Sequence, residues 1–441
     1  MVAVLASERA SMKTLNGVKG FHDVVPPQSE RFTEIEGRLR AVLAAYNYGE
    51  IRTPIAERTE LFARSLGETT DIVEKEMYSF DDRDGTSLTL RPEGTASVVR
   101  AAIEAGLAQR DQVAKLYYLG PMFRRERPQR GRTRQFHQFG AELIGRDDPL
   151  ADAEVVTLLA DCLRAAGLEE SDLILNSLGD EACRPAYRAA LSAYGHAHVD
   201  ALCANCRERL ERNPLRLLDC KEEGCRRVMA EAPLVTEHLC DPCRAHFGEV
   251  ERLLHAAEVP YRINPRLVRG LDYYVRTAFE VVAGNLGAQN AVGGGGRYDG
   301  LVSALGGPPL PGIGFAIGLE RLLMATEHNA FSSAHPEVAV IPLSVEASAA
   351  AVRLTRRLRG LGMRCELEAA GRSLKSAMRR ADKLSARFAV LIGDDELRAG
   401  RATVRDLQRQ ADHRLALGVD DSGPALMETL RMLAAAGGQG G

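Results

Sequence analysis

Phe123-Arg124-Arg125-Glu126-Arg127-Pro128-Gln129-Arg130-Gly131-Arg132-Thr133-Arg134-Gln135-Phe136 holds six arginines and one glutamate at positions 124–134, between two apolar, β-rich runs. A hairpin tip of this composition has no apolar face to bury, so its net charge of +5 is either solvated or meets phosphates. Arginine rather than lysine offers forked donors that match phosphate oxygens. The flanking runs, 115–119 and 136–144, join others at 87–90 and 173–178, with one strong helical pattern at 151–166. Strands that follow one another with few crossover helices predict a mostly antiparallel sheet.

Upstream, Phe32, Ile35, Leu39, Val42 and Leu43 recur at helical spacing and predict a helix over 32–43. It runs into Tyr48-Gly49-Glu50-Ile51-Arg52-Thr53-Pro54, where glycine ends the helix and proline suits a strand's edge or end. Downstream, residues 181–260 lose their β-branched runs and gain charged helical segments, with six of the nine cysteines between Cys203 and Cys243, which reads as a helical insertion. Strand patterns resume at 261–263 and 277–282, followed by Gly293-Gly294-Gly295-Gly296 and an apolar block at 313–323. A polar linker at 326–336 leads to strand 338–343, helix 345–361, strand 363–367, helix 373–384 and strand 388–392. That βαβαβ order predicts a parallel sheet in a separate α/β domain. The expected organisation is a core over 1–334 interrupted by the insertion at 181–260, an α/β domain over 335–434 and a flexible tail over 435–441.

At roughly 150 residues per domain, the 441 residues suit about three such units, and 45% hydrophobic with 27% charged residues excludes a disordered or fibrous chain. No apolar run reaches the roughly 18 to 20 residues of a membrane span. The first nine residues meet acid and base too soon for a secretory signal, so a cytoplasmic protein is expected. The net charge of −3 conceals an asymmetry: residues 351–414 carry 16 Lys+Arg against 8 Asp+Glu. Within it, the 373–384 pattern buries Leu374, Ala377, Met378, Ala381 and Leu384 and turns Lys375, Arg379, Arg380 and Lys383 outward. Such a face is either merely solvated or a footprint for a phosphate backbone.

Four more segments offer chemistry. In Leu90-Arg91-Pro92-Glu93-Gly94-Thr95 the carboxylate can receive an ammonium group while Thr95 caps the next helix; plain capping is the alternative. Val268-Arg269-Gly270-Leu271-Asp272-Tyr273-Tyr274 pairs with the glycine run before Arg297-Tyr298-Asp299, where glycines admit a ligand close to the backbone or mark a bulge. Gly312-Ile313-Gly314-Phe315-Ala316-Ile317-Gly318 runs into a helix whose first turn presents Glu320 and Arg321 to a nucleotide or to each other. Cys203-Ala204-Asn205-Cys206 and Cys240-Asp241-Pro242-Cys243 repeat C-x₂-C, which fits a structural Zn²⁺ held by Cys203, Cys206, Cys240 and Cys243, or else free thiols. Cys162, Cys183 and Cys365 read as core residues.

Taken in order, these segments resemble the three signature motifs of class II aminoacyl-tRNA synthetases: 48–54 with its preceding helix, 123–126 with its loop and 135–142, and 314–321. Arg269 to Tyr274 and Gly294 to Gly300 are similar to two peptides peculiar to the histidyl-tRNA synthetase family, and the likeness runs from Gly17-Val18-Lys19-Gly20 into the C-terminal domain. It implies an α+β protein: an antiparallel catalytic core with a helical insertion, then an α/β anticodon-binding domain. Its members join L-histidine to tRNA(His) with ATP and Mg²⁺, and the first motif implies a homodimer. The resemblance implies ATP binding by Arg124, Glu126, Arg132, Phe136 and Arg321, with Arg124 and Arg269 as the catalytic pair on the α-phosphate. Histidine would be held by Glu93, Gly94, Thr95, Gln138, Glu142, Tyr273 and Tyr274, with Arg124 and Arg269 beside them. Zinc is not implied by the family. A second reading is the synthetase-like regulatory subunit of ATP phosphoribosyltransferase, disfavoured by Arg269 and by the C-terminal domain.

Overall fold

The helical spacing at 32–43 extends into a longer helix, Gln28–Ala45, that buries Phe32, Ile35, Leu39 and Leu43. The computed structural model in which it lies describes residues 15–67, 70, 72–109, 112–286, 290–327, 335–409 and 411–416. Residues 328–334 of the expected linker and the whole tail at 435–441 fall outside the described residues. The chain divides into two compact units, Met1–Phe331 and Ser332–Gly441.

The first unit contains β1 (Gly49–Glu50), β2 (Ala56–Arg58), β3 (Tyr78–Asp81), β4 (Ser87–Leu90), β5 (Ala114–Phe123) and β6 (Gln135–Ile144), then β7 (Asp172–Ser177), β8 (Arg262–Ile263), β9 (Val275–Val282), β10 (Ala291–Arg297) and β11 (Gly312–Gly318). Eight of these form one sheet in the order β1-β5-β6-β11-β10-β9-β7-β8, and β2-β4-β3 form a small second sheet. In the large sheet only the two-residue edge strands β1 and β8 pair in parallel, so the antiparallel expectation holds. β5 and β6 stay in register from Ala114↔Ile144 to Phe123↔Gln135, which sends the arginine-rich loop out at one end of the sheet.

One face of this sheet is sealed by Gln28–Ala45 and by the helix Pro149–Ala165, whose Val155, Leu159 and Leu163 join Phe139, Phe279 and Phe315 in the main core. Asp148 starts that helix by accepting from the Ala151 N–H at 3.1 Å, with proline in the first turn. Between β7 and β8 the regular structure among the described residues is helical, including Arg184–Ala197, Ala204–Arg212, Glu223–Ala230 and Asp241–Ala256. These helices share a separate core around Tyr187, Leu191, Leu210, Leu217 and Met229. The last belongs to both cores, because Cys243 lies in the small one while Phe247, Val250 and Leu254 enter the main one.

A buried ion network fastens that helix further. Arg297 and Asp152 are both fully buried and paired, and the His246 Nε2 lies 2.8 Å from the other Asp152 oxygen. Arg297 also donates to Asp299 at 2.9 Å and to the Arg146 carbonyl at 3.0 Å.

The second unit starts with the expected parallel strands β12 (Val338–Pro342), β13 (Cys365–Leu367) and β14 (Phe388–Ile392), joined through helices Ser348–Gly360 and Leu374–Lys383. It then adds two antiparallel strands beyond the sequence reading, β15 (Arg401–Asp406) and β16 (Ala411–Ala416). β15 is hard to see in sequence because its inward Ala402 and Val404 alternate with Arg401, Thr403 and Arg405, leaving little apolar signal. Leu374, expected in the buried stripe, is exposed: it is the first helical residue after the Ser373 cap, and only Ala377 and Ala381 are fully inward. Lys375, Arg379, Arg380 and Lys383 face outward as expected, and Arg380 also pairs with Glu368 at 2.6 Å and Glu366 at 3.2 Å. Among the described residues no helix is long and apolar enough to cross a membrane.

Candidate active site

The β5–β6 hairpin, β10, the start of the helix Leu319–Ala325 and the loop 268–274 surround a cleft of about 740 Å³. From the hairpin come Arg124, Glu126, Arg132, Phe136 and Gln138; Arg321 enters from the helix, and Arg269, Tyr273 and Tyr274 from the loop. Glu93 and Thr95, at the start of the helix Thr95–Glu104, complete the lining among the expected residues.

Arginines thus reach one cavity from distant parts of the chain. Arg124 donates through Nε to the Pro92 carbonyl at 2.8 Å and lies over the Phe136 ring at 5.4 Å. Arg321 donates to the Gly131 and Ala291 carbonyls at 3.0 and 2.7 Å, which pins the arginine-rich loop against β10. Burial, with Arg132 and Arg124 nearby, lowers the proton affinity of Arg321, so an anion in the cleft relieves it. Arg132 pairs with Glu126 at 2.7 Å, while Arg125, Arg127 and Arg130 are exposed. The loop therefore divides its charge between the cleft and solvent.

Arg269 pairs with Glu280 at 2.7 Å and lies 5.8 Å from the centre of the Tyr274 ring. Its position depends on the glycine run, since a Cβ on Gly294 would sit 2.8 Å from the Arg269 guanidinium. Both readings of that run apply, because Gly293 and Gly294 line the cleft and register shifts bracket the run within β10.

The cleft's carboxylate end departs from the sequence reading at Thr95. Glu93, not Thr95, covers the helix start: its two oxygens accept the Thr95 and Ala96 N–H groups at 2.6 and 2.9 Å. Thr95 instead donates its hydroxyl to Glu142 at 2.7 Å. A Cβ on Gly94 would strike the Tyr118 ring, and Gly94 is absent from the lining, so its smallness serves the fold. Gln138 keeps a buried carboxamide oxygen without a partner among the described residues, an acceptor open to a ligand's donor.

Glu142 is also absent from the lining. It is completely buried behind Thr95, and its second oxygen accepts from the Tyr298 hydroxyl at 2.6 Å. Burial raises its pKa to about 8, against the pull of the two hydroxyls. Glycine makes room for this pair, since side chains at Gly312 and Gly314 would strike Tyr298 and Glu142. A carboxyl whose folded pKa lies above its usual 4.5 contributes most below pH 4.5 and loses that contribution as pH rises to about 8. Wild-type stability should therefore fall by up to about 1.4 kcal/mol per pH unit across this window relative to Glu142→Gln. Parallel melting curves for the two proteins from pH 5 to 9 would refute the assignment.

Sequence reasoning missed Glu280 and the reach of the insertion. Arg216 crosses from it to donate to the Gly270 carbonyl at 2.7 Å and to Asp272 at 3.1 Å, bracing the loop that carries Arg269. No local pattern marks such a long-range contact. The proposed zinc ligands also need correction. Cys203 and Cys206 cluster with Cys220 and Cys225, whereas Cys240 and Cys243 cluster with Asp180 and Cys183. The two C-x₂-C pairs therefore do not share a site, and Cys183, expected only in the core, belongs to the second cluster.

The signature of the family described as histidyl-tRNA synthetase matches residues 20–322, and that of the anticodon-binding domain matches 337–418. A histidine–tRNA ligase of Trichlorobacter lovleyi is 53% identical over 399 residues, covering 90% of this chain and 94% of its own length. That of Syntrophotalea carbinolica is 49% identical, covering 95% and 99%. The apo crystal structure of S. aureus histidyl-tRNA synthetase is 36% identical, with a TM-score of 0.78 over 95% of this chain and all of that one.

Proposed function

The chain belongs to the histidyl-tRNA synthetase family, and from that premise we infer how the cleft divides the work of a histidine–tRNA ligase. A histidine carboxylate oxygen attacks the α-phosphorus of ATP, the bond to pyrophosphate breaks, and histidyl-adenylate forms. A hydroxyl of the terminal ribose of tRNA(His) then attacks the histidyl carbonyl, and AMP leaves. Neither step needs a protein nucleophile, so the residues serve to orient and to neutralise charge.

Arg124 and Arg269 flank the α-phosphate, where charge grows as the carboxylate attacks. Arg321 and Arg132 take the outer phosphates, Glu126 holds Arg132 in place, and the adenine lies between Phe136 and Arg321. Mg²⁺ would arrive with the ATP phosphates, and Glu280, paired with Arg269, and Glu320, held by His137, are the cleft carboxylates that would hold it. Glu93, Thr95 and Gln138 receive the ammonium group. The imidazole, with one donor and one acceptor, is read by Tyr273 and Tyr274, while Glu142 fixes Thr95 and Tyr298 from behind.

The convergence of Arg124, Arg269 and Arg321 with Glu93 and Gln138 on one cleft carries this reading. A regulatory histidine sensor needs no such arginine set, and the regulatory alternative is not favoured. The basic face of the C-terminal domain meets tRNA, the first motif builds a homodimer, and the protein works in the cytoplasm. Histidine-dependent exchange of pyrophosphate into ATP tests the central claim. Exchange is expected with L-histidine and with no other amino acid, and its absence would leave only the sensor reading.

A further inference from the structure

We propose that the helical insertion holds two structural zinc ions, one at Cys203, Cys206, Cys220 and Cys225 and one at Asp180, Cys183, Cys240 and Cys243. Within each set the four ligand atoms all lie within 4.8 Å of one another. Zinc bound to sulfur at about 2.3 Å in a tetrahedron separates its sulfurs by about 3.8 Å. The Cys203 and Cys220 sulfurs are 3.9 Å apart, which fits shared coordination and is far too long for a disulfide.

The backbone is arranged to suit thiolates. Cys203 and Cys240 each precede a helix, Ala204–Arg212 and Asp241–Ala256, so that Cys206 and Cys243 fall in the first turns. The Cys203 N–H donates to the Cys225 sulfur at 3.1 Å and the Asp180 N–H to the Cys183 sulfur at 3.3 Å, the outer support that metal-bound sulfur requires. Asp180 turns one oxygen toward Cys183 and Cys240 and the other toward Arg276, 3.4 Å away, which orients its carboxylate. Mixed sulfur and oxygen donors in a closed set of four suit zinc.

The two ions have separate tasks. The second lies at the neck of the insertion: Asp180 and Cys183 follow β7 as the chain leaves the core, and Cys240 and Cys243 begin the helix that returns to it. One ion there clasps entry to exit. The first borders the cleft, whose wall includes Cys203, Cys220 and neighbouring Asp219. It fixes the turn that carries Arg216, and through it the loop of Arg269. A helical module with so small a core gains from such staples.

Elemental analysis of the full chain, purified without chelator, is expected to give two zinc ions per chain. Cys225→Ser and Cys243→Ser should each retain one, and the double variant none. Titration of the wild-type chain with a mercurial, read by a zinc-sensitive dye, should release two equivalents and does not depend on a variant folding. Release of one equivalent or none, or iron in place of zinc, would overturn the proposal.

Discussion

Arg269→Ala should lower histidine-dependent pyrophosphate exchange by roughly 10²- to 10³-fold, the usual cost of removing one preorganised donor from a developing charge. The side chain is held in place before any substrate arrives. Glu280 grips one terminal nitrogen at 2.7 Å, Tyr274 lies against its face, and the glycine strand leaves it room. Its Nε has no partner among the described residues, so donor capacity remains for a phosphate oxygen. Glu93, Thr95 and Gln138 are untouched by the change, and histidine affinity measured by calorimetry should stay within a few-fold. Arg269→Lys should recover only part of the rate, because an ammonium group cannot form the bidentate fork. Exchange within threefold of wild type in the alanine variant would show that Arg124 suffices.

Asp152→Ala is expected to cost about 3 to 5 kcal/mol of stability, the range for breaking a buried ion pair by removing one partner. The carboxylate is shared by Arg297 and His246, and it and Arg297 have no solvent exposure. Without it the guanidinium keeps only Asp299 and backbone carbonyls, and burial exacts the cost of an undercompensated charge. In chemical denaturation the first transition should move to markedly lower urea. The helix Asp241–Ala256 should also exchange its amides sooner, since His246 loses its anchor. A loss below 1 kcal/mol would mean that Asp299 alone neutralises Arg297.

Sequence made the large sheet readable because its strands alternate with turns and because the 124–134 loop is too charged to be buried. The helices Gln28–Ala45 and Pro149–Ala165 were readable for the opposite reason, a continuous apolar stripe. What escaped was either short or decided by distant partners. β2 and β3 are three and four residues long, too brief for a periodic signal. Thr95 has the chemistry of a helix cap, yet Glu93 covers the backbone and leaves the threonine to Glu142. The repeated C-x₂-C spacing suggested one shared ion, but each pair closes on a helix start and seeks its other ligands locally. Spacing identified ligand-like residues without revealing which pairs meet.

The glycine strand also matters for heredity. An added side-chain carbon at Gly293, Gly294 or Gly296 would lie 2.5 to 2.7 Å from the carbonyl oxygens of Ala316, Phe279 and Thr277, and one at Gly295 would strike that of Gly314. Those oxygens belong to the backbones of the neighbouring strands and cannot swing aside. Changes at the first two bases of these four codons replace glycine, so each falls on a position with no tolerance, whatever the new residue's chemistry. Drift can sample the third base alone, and for these twelve nucleotides the lineage is left with synonymous spelling.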